Sequence, residues 1–225
     1  MDIINFDSEL NDDNKKYRNH FLLPACHYLF VAATGCGKTN LLCNMLLRWM
    51  HFDECTIYTI NQNQDKYNCL NELSGILKSA GIDNFITFEN PNKITPVEDL
   101  DIDTVKVIVF DDIKIDRESM DRVKEYFSLS RNKNCNCLYL TQSFYDVPKY
   151  IRRNTQCFVL FDGLDNRDIA EICRDHSKNI KPEEFKQIYQ MATSEPYSFM
   201  VFDKTTNNIP EMYRKRFDQY YMPVQ

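Results

Sequence analysis

Glycine is scarce in this 225-residue chain, which has five, and tryptophan occurs once. So little glycine excludes collagen-like and glycine-linker architectures, and it draws attention to any two glycines that fall close together. No apolar run approaches the ~18 residues of a membrane-spanning helix. Met1-Asp2-Ile3-Ile4-Asn5 also lacks the basic and apolar regions of a secretion signal. The expectation is a soluble, intracellular protein with no membrane partner. There is no C-x-x-C among nine cysteines. Their odd number, and the strand-like surroundings of Cys26, Cys137 and Cys157, predict reduced core thiols rather than a disulfide framework. Cys135-Asn136-Cys137 has no histidine near it and lacks zinc-ligand spacing. An excess of basic charge is missing too, with 27 Lys and Arg against 33 Asp and Glu, a net charge of −6. That excludes a uniformly basic, nucleic-acid-coating surface. Local basic groups remain at Lys149, Arg152 and Arg153, at Lys178 and Lys181, and at Arg214-Lys215-Arg216.

What the chain does have is concentrated in Leu29-Phe30-Val31-Ala32-Ala33-Thr34-Gly35-Cys36-Gly37-Lys38-Thr39-Asn40. An apolar strand runs into a small loop, and Lys38-Thr39 opens a helical pattern of Leu41, Leu42, Met45, Leu46 and Trp49. This is the context of a phosphate-binding P-loop. Backbone N–H groups from Thr34 to Asn40 would converge on phosphate oxygens, and the free amides of the helix start add positive partial charge. Lys38 would reach the β and γ phosphates of ATP, and the Thr39 hydroxyl would take one position on Mg²⁺. Cys36 reads as a small filler in the loop. Ala32 stands where the G-x-x-x-x-G-K-[ST] pattern has its first glycine, which is tolerable if the backbone there keeps φ negative.

The rest of the chain alternates strands and helices. Strands are predicted over 26–32, 56–60, 85–88, 105–112, 137–142, 157–161 and 197–203. Helices are predicted from the loop to about 50, then over 65–80, 119–130, 166–176 and 182–192. This is an α/β domain with a mainly parallel central sheet and helices on both faces, the plan of a P-loop NTPase of the RecA/ASCE type. Residues 1–22 read as a polar N-terminal arm and 23–205 as the ATPase domain. The aromatic, basic tail 206–225 is expected to dock on the domain or on a neighbouring subunit.

Two further strand ends carry chemistry. Val107-Ile108-Val109-Phe110-Asp111-Asp112 has the Walker B form, in which the first acid, Asp111, orients Mg²⁺ through water and the second, Asp112, polarises the attacking water. Leu138-Tyr139-Leu140-Thr141-Gln142 ends on an amide, which resembles the polar strand-end residue that faces the γ-phosphate and that water in P-loop ATPases with an extra strand between the Walker A and Walker B strands. In an open α/β sheet, ligands bind at the carboxyl ends of the strands, and all these groups fall there.

With these residues in view, the chain resembles the virion genome-packaging ATPases of large and mid-sized double-stranded DNA viruses, typified by the poxvirus packaging ATPase, within the FtsK/HerA superfamily of P-loop translocases. The likeness rests on Thr34 to Asn40, on Val107 to Asp112, and on Arg131-Asn132-Lys133 through Leu140-Thr141-Gln142-Ser143 to Pro148-Lys149-Tyr150-Ile151-Arg152-Arg153-Asn154. It implies an ATP-driven motor that assembles as a ring, with a hexamer as the expected form, and threads double-stranded DNA into a preformed capsid, docked on a capsid or portal protein. It places the protein in the host cytoplasm at virus assembly sites and in association with the virion. The acid after the Mg²⁺ aspartate is often Glu in that superfamily and is Asp112 here. A ring ATPase also needs an arginine finger from an adjacent subunit, for which Arg131, Arg152 and Arg153 are the candidates, Arg131 first and Arg152 next. Two other readings stand beside this one: a P-loop kinase or other small-molecule NTPase, and an assembly protein that binds nucleotide without turnover.

Overall fold

The computed structural model describes residues 25–60, 65–82, 85–176 and 180–220. The N-terminal arm 1–22 and Lys178 lie outside the described residues. Nine strands form one sheet: β1 (His27–Val31), β2 (Glu54–Thr59), β3 (Ile86–Glu89), β4 (Lys106–Asp111), β5 (Cys135–Thr141), β6 (Cys157–Phe161), β7 (Phe199–Asp203), β8 (Tyr213–Lys215) and β9 (Gln219–Tyr220). They lie in the order β3-β2-β4-β5-β1-β6-β7-β8-β9. β1 to β6 pair in parallel, and β7 to β9 continue the sheet antiparallel. The expected mainly parallel sheet is therefore present, with β5 between the P-loop strand and the Walker B strand. Among the described residues no helix is long and apolar enough to cross a membrane.

The helices are α1 (Lys38–Asn44), α2 (Asn68–Ser79), α3 (Arg117–Leu129), α4 (Lys149–Asn154), α5 (Asn166–His176), α6 (Pro182–Ala192) and α7 (Ile209–Met212). α1 runs on through a π-helical turn, Met45–Trp49. Because successive strand residues point to opposite faces, β1 sends Tyr28 and Phe30 to one layer and Leu29 and Val31 to the other. The first layer packs on Leu41 and Leu42 of α1 and Leu70 of α2. The second packs on Val123 and Phe127 of α3, Ile151 of α4, Ile172 of α5 and Phe185 of α6. Covering both faces is what allows the continuous apolar runs Leu29-Phe30-Val31 and Val107-Ile108-Val109-Phe110 to stand as strands.

The 206–220 segment packs on its own domain. Tyr213 is buried and stacks on Phe202 with ring centroids 5.1 Å apart. Phe217 packs edge-on against Phe199 at 5.2 Å and Trp49 at 5.8 Å. Arg214 and Asp203, both buried, pair at 3.2 Å across β7 and β8. The two short strands β8 and β9 were not expected from the sequence, since neither is long enough to show alternation.

At the amino ends of the strands, His27 ties several elements together. Its Nδ1 lies 3.1 Å from the Asn154 carbonyl, which only accepts, so Nδ1 carries the proton and Nε2 accepts from the Ser130 hydroxyl at 3.1 Å. Burial pushes the imidazole down to about 4, and the Arg131 charge adds to the effect against the Asn154 hydrogen bond. The fold therefore favours neutral His27 over the unfolded chain, where the ring titrates near its ordinary value. Its contribution is complete above about pH 6.5 and is lost as pH falls through about 4. Between pH 7.5 and pH 5, urea unfolding should show the wild type losing about 2 kcal/mol more stability than His27→Gln. Equal losses in the two proteins would place the acid sensitivity elsewhere.

Candidate active site

The loop between β1 and α1 is shaped by two left-handed backbone positions, Gly35 with φ 84° and Gly37 with φ 96°. Only glycine takes such angles freely. At Gly37 an added Cβ would also stand 3.2 Å from Cδ1 of Tyr197, a tight contact to which the exposed ring would have to yield. Ala32 keeps φ negative and continues the β1 ladder through an N–H donated to the Thr141 carbonyl at 3.1 Å. The first pattern glycine is dispensable here for that reason. Cys36 points aside, its thiol 3.5 Å from the Asp162 carbonyl.

A cleft of about 670 Å³ opens over the loop, within the usual size of small-molecule sites. Thr34, Gly35, Gly37, Lys38, Thr39 and Asn40 form one side of it. Asp112, at the end of β4, and Gln142, at the end of β5, form the other. Lys38 is buried, and its ammonium lies 2.9 Å from Asp112 Oδ1. A buried ammonium requires such a partner. Asp112 reaches it from a left-handed backbone, φ 46°, uncommon outside glycine and of the kind that gathers at functional sites. The Gln142 side chain accepts from the Thr34 hydroxyl at 3.4 Å, so the sensor strand and the phosphate loop already touch. A second cleft, about 770 Å³, adjoins the first and shares Asp112 and Gln142 with it.

Asp111 does not line the cleft. It is fully buried behind it, with Oδ2 accepting from Lys66 Nζ at 2.7 Å and from the Tyr67 hydroxyl. Among the described residues its Oδ1 has no partner. A buried carboxylate oxygen with no described partner, on the residue just before the cleft-lining Asp112, suits the water shell of a hard divalent cation. Thr39 and Asp111 thus fit Mg²⁺.

The first two arginines are placed differently. Arg131 is exposed in the turn Ser130–Lys133 ahead of β5, donating from Nε to the Ala25 carbonyl at 3.1 Å. It stands at the amino edge of the sheet, opposite the cleft of its own subunit. Arg152 departs from the expectation of an available finger. It is buried, its guanidinium 3.1 Å from Glu171 of α5 and 4.8 Å from the centre of the Phe144 ring. That contact holds α4 to α5 and leaves Arg152 committed within its own subunit.

Several residues in and around the site were not singled out by sequence reasoning, among them Lys114, which lines both clefts. Lys66 and Tyr67 come from the turn after β2. Tyr197, 73% exposed with φ 59°, stands against the phosphate loop. Asp168, buried at the start of α5, accepts from the N–H groups of Phe144 at 3.1 Å and Tyr145 at 3.0 Å, fixing the turn that follows Gln142. A paired-amide carboxylate of this kind has no motif, although the Asp at the third position of a predicted helix was a visible cue.

No family model matches the chain, and no curated protein sequence matches it. Among solved structures it is similar to B204, the DNA-packaging ATPase of Sulfolobus Turreted Icosahedral Virus, with 12% identity and a TM-score of 0.52 over 81% of this chain and 94% of that one. It is also similar to the genome packaging NTPase B204 of Sulfolobus turreted icosahedral virus 2. In its complex with ATP-gammaS the figures are 13% identity and a TM-score of 0.53, over 82% of this chain and 95% of that one. In its complex with AMP they are 12% and 0.52, over 89% and 98%. Identity this low establishes the fold alone, and the chain has the P-loop NTPase fold that these viral packaging ATPases carry.

Proposed function

We propose that the chain is a Mg²⁺-dependent ATPase that drives double-stranded DNA into a preformed viral capsid, acting as a homo-oligomeric ring, a hexamer, docked on a capsid or portal protein at assembly sites in the host cytoplasm. The observation that carries the hydrolytic half is the meeting of Lys38, Asp112 and Gln142 in one cleft, with β5 inserted between β1 and β4. The DNA half rests on the resemblance of the motifs and on a fold shared with B204 proteins whose described role is packaging.

The chain's own groups divide the work. The loop amides and Lys38 bind the β and γ phosphates. Asp112 exchanges its ion pair with Lys38 for a hydrogen bond to a water and takes that water's proton as it attacks the γ-phosphorus, while the bond from that phosphorus to the β–γ bridging oxygen breaks and ADP leaves with the electron pair. Gln142 orients the same water from the neighbouring strand. Thr39, and Asp111 through a water, would hold Mg²⁺, which would supply positive charge to the phosphates when nucleotide binds. Arg131, the first candidate and an exposed one, supplies the finger in trans, while Arg152 serves the packing of α4 on α5.

The adjoining cleft, which shares Asp112 and Gln142, favours one second reading, a kinase whose acceptor fills it. Steady-state ATP turnover with and without double-stranded DNA separates the two. A motor is stimulated by DNA. Indifference to DNA together with stimulation by a small hydroxyl acceptor would support the kinase. Asp112→Asn should keep its nucleotide affinity and lose turnover by roughly 10²–10⁴-fold. Full turnover in that variant would move the base to another residue.

A further inference from the structure

The grip on Asp111 is more elaborate than burial alone demands. Both donors to Oδ2 come from a single turn, Asp65–Tyr67, which precedes α2. That turn is tied to α1 by the Cys43 thiol, 3.9 Å from the Lys66 carbonyl. The Tyr67 ring is buried and packs on Phe88 with centroids 5.3 Å apart. The Lys66 ammonium, 5.0 Å from the centre of that ring, also borders the nucleotide cleft. A carboxylate taken wholly out of water needs a counter-charge and filled lone pairs. Here one oxygen receives both donors and the other receives none from the described residues.

We propose that Lys66 and Tyr67 are positioning residues for Asp111: by holding Oδ2 they fix the carboxylate's rotation and its charge, and they leave Oδ1 as the acceptor for the water shell of the divalent cation that accompanies ATP. Partners of this kind around metal-binding carboxylates set metal affinity without touching the metal. The inference rests on the ATPase reading. The alternative use of Lys66, a direct contact with phosphate from its place at the cleft edge, makes a different prediction.

The test is a titration of the full-length protein with a fluorescent ATP analogue, first in EDTA and then at fixed nucleotide with rising Mg²⁺. Tyr67→Phe keeps the buried ring and removes only the donor, so it carries the test even if a lysine variant fails to fold. Its affinity in EDTA should match the wild type, while the Mg²⁺ concentration for half-saturation rises about tenfold or more. Lys66→Met should behave likewise, and Lys66→Arg should restore the wild-type curve. Unchanged Mg²⁺ curves in Tyr67→Phe would overturn the proposal. So would a Lys66→Met variant that needs less Mg²⁺, which would make the ammonium a competitor of the cation. Weaker binding of Lys66→Met in EDTA with an unchanged Mg²⁺ requirement would also overturn it, in favour of a phosphate contact. A wild-type protein that binds no nucleotide under either condition overturns the ATPase reading instead.

Discussion

The structure depends on how two adjacent carboxylates at the end of β4 are neutralised. Asp111 is entirely out of solvent and Asp112 faces the cleft, and each has its own lysine, Lys66 at 2.7 Å and Lys38 at 2.9 Å. An unpaired charge on the buried Asp111 would cost several kcal/mol, and it is the buried Lys38, more than the partly exposed Asp112, that needs the second pair. The pairing therefore constrains everything around it: α1 must present Lys38 at its first residue, and the turn after β2 must fold back to deliver Lys66 and Tyr67. It also sets the chemistry, because a lysine that balances Asp112 in the free protein is the same lysine a phosphate would claim. Phosphate binding and release of the Asp112 carboxylate are then one event.

Topology supplies the third party. With β5 between β1 and β4, the end of its strand sits between the phosphate loop and the acids, and Gln142 touches Thr34 before any ligand arrives. Asp168 holds the following turn through two amides, and Arg152 binds α4 to Glu171 of α5 behind it. Asp168 thus fixes the turn that follows Gln142, and Arg152 fixes the helix beyond that turn.

Much of this was legible in the sequence, for physical reasons. The P-loop and the strand ends at Asp112 and Gln142 are local: a few consecutive residues determine backbone shape and side-chain chemistry together. The parallel sheet followed from apolar runs that require cover on both faces. What stayed hidden depends on contacts between distant positions. Tyr67 is 44 residues from the carboxylate it serves, and nothing in Asp65-Lys66-Tyr67 announces that partner. Arg152 looked available because its counter-ion, Glu171, lies on another helix. Tyr197 declares itself only through a backbone angle and the absence of a Cβ at Gly37. β8 and β9 are too short to carry a periodic signal, and their pairing is visible only once β7 is in place.

The account stands most directly on Lys38, whose ammonium links the phosphate loop to the acid that would activate water. ATP binding and hydrolysis by the wild type and by Lys38→Ala, compared at equal protein and saturating Mg²⁺, measure that link. The account predicts that the wild type binds and hydrolyses ATP and that Lys38→Ala does neither to a measurable extent. Unchanged hydrolysis by Lys38→Ala would contradict it.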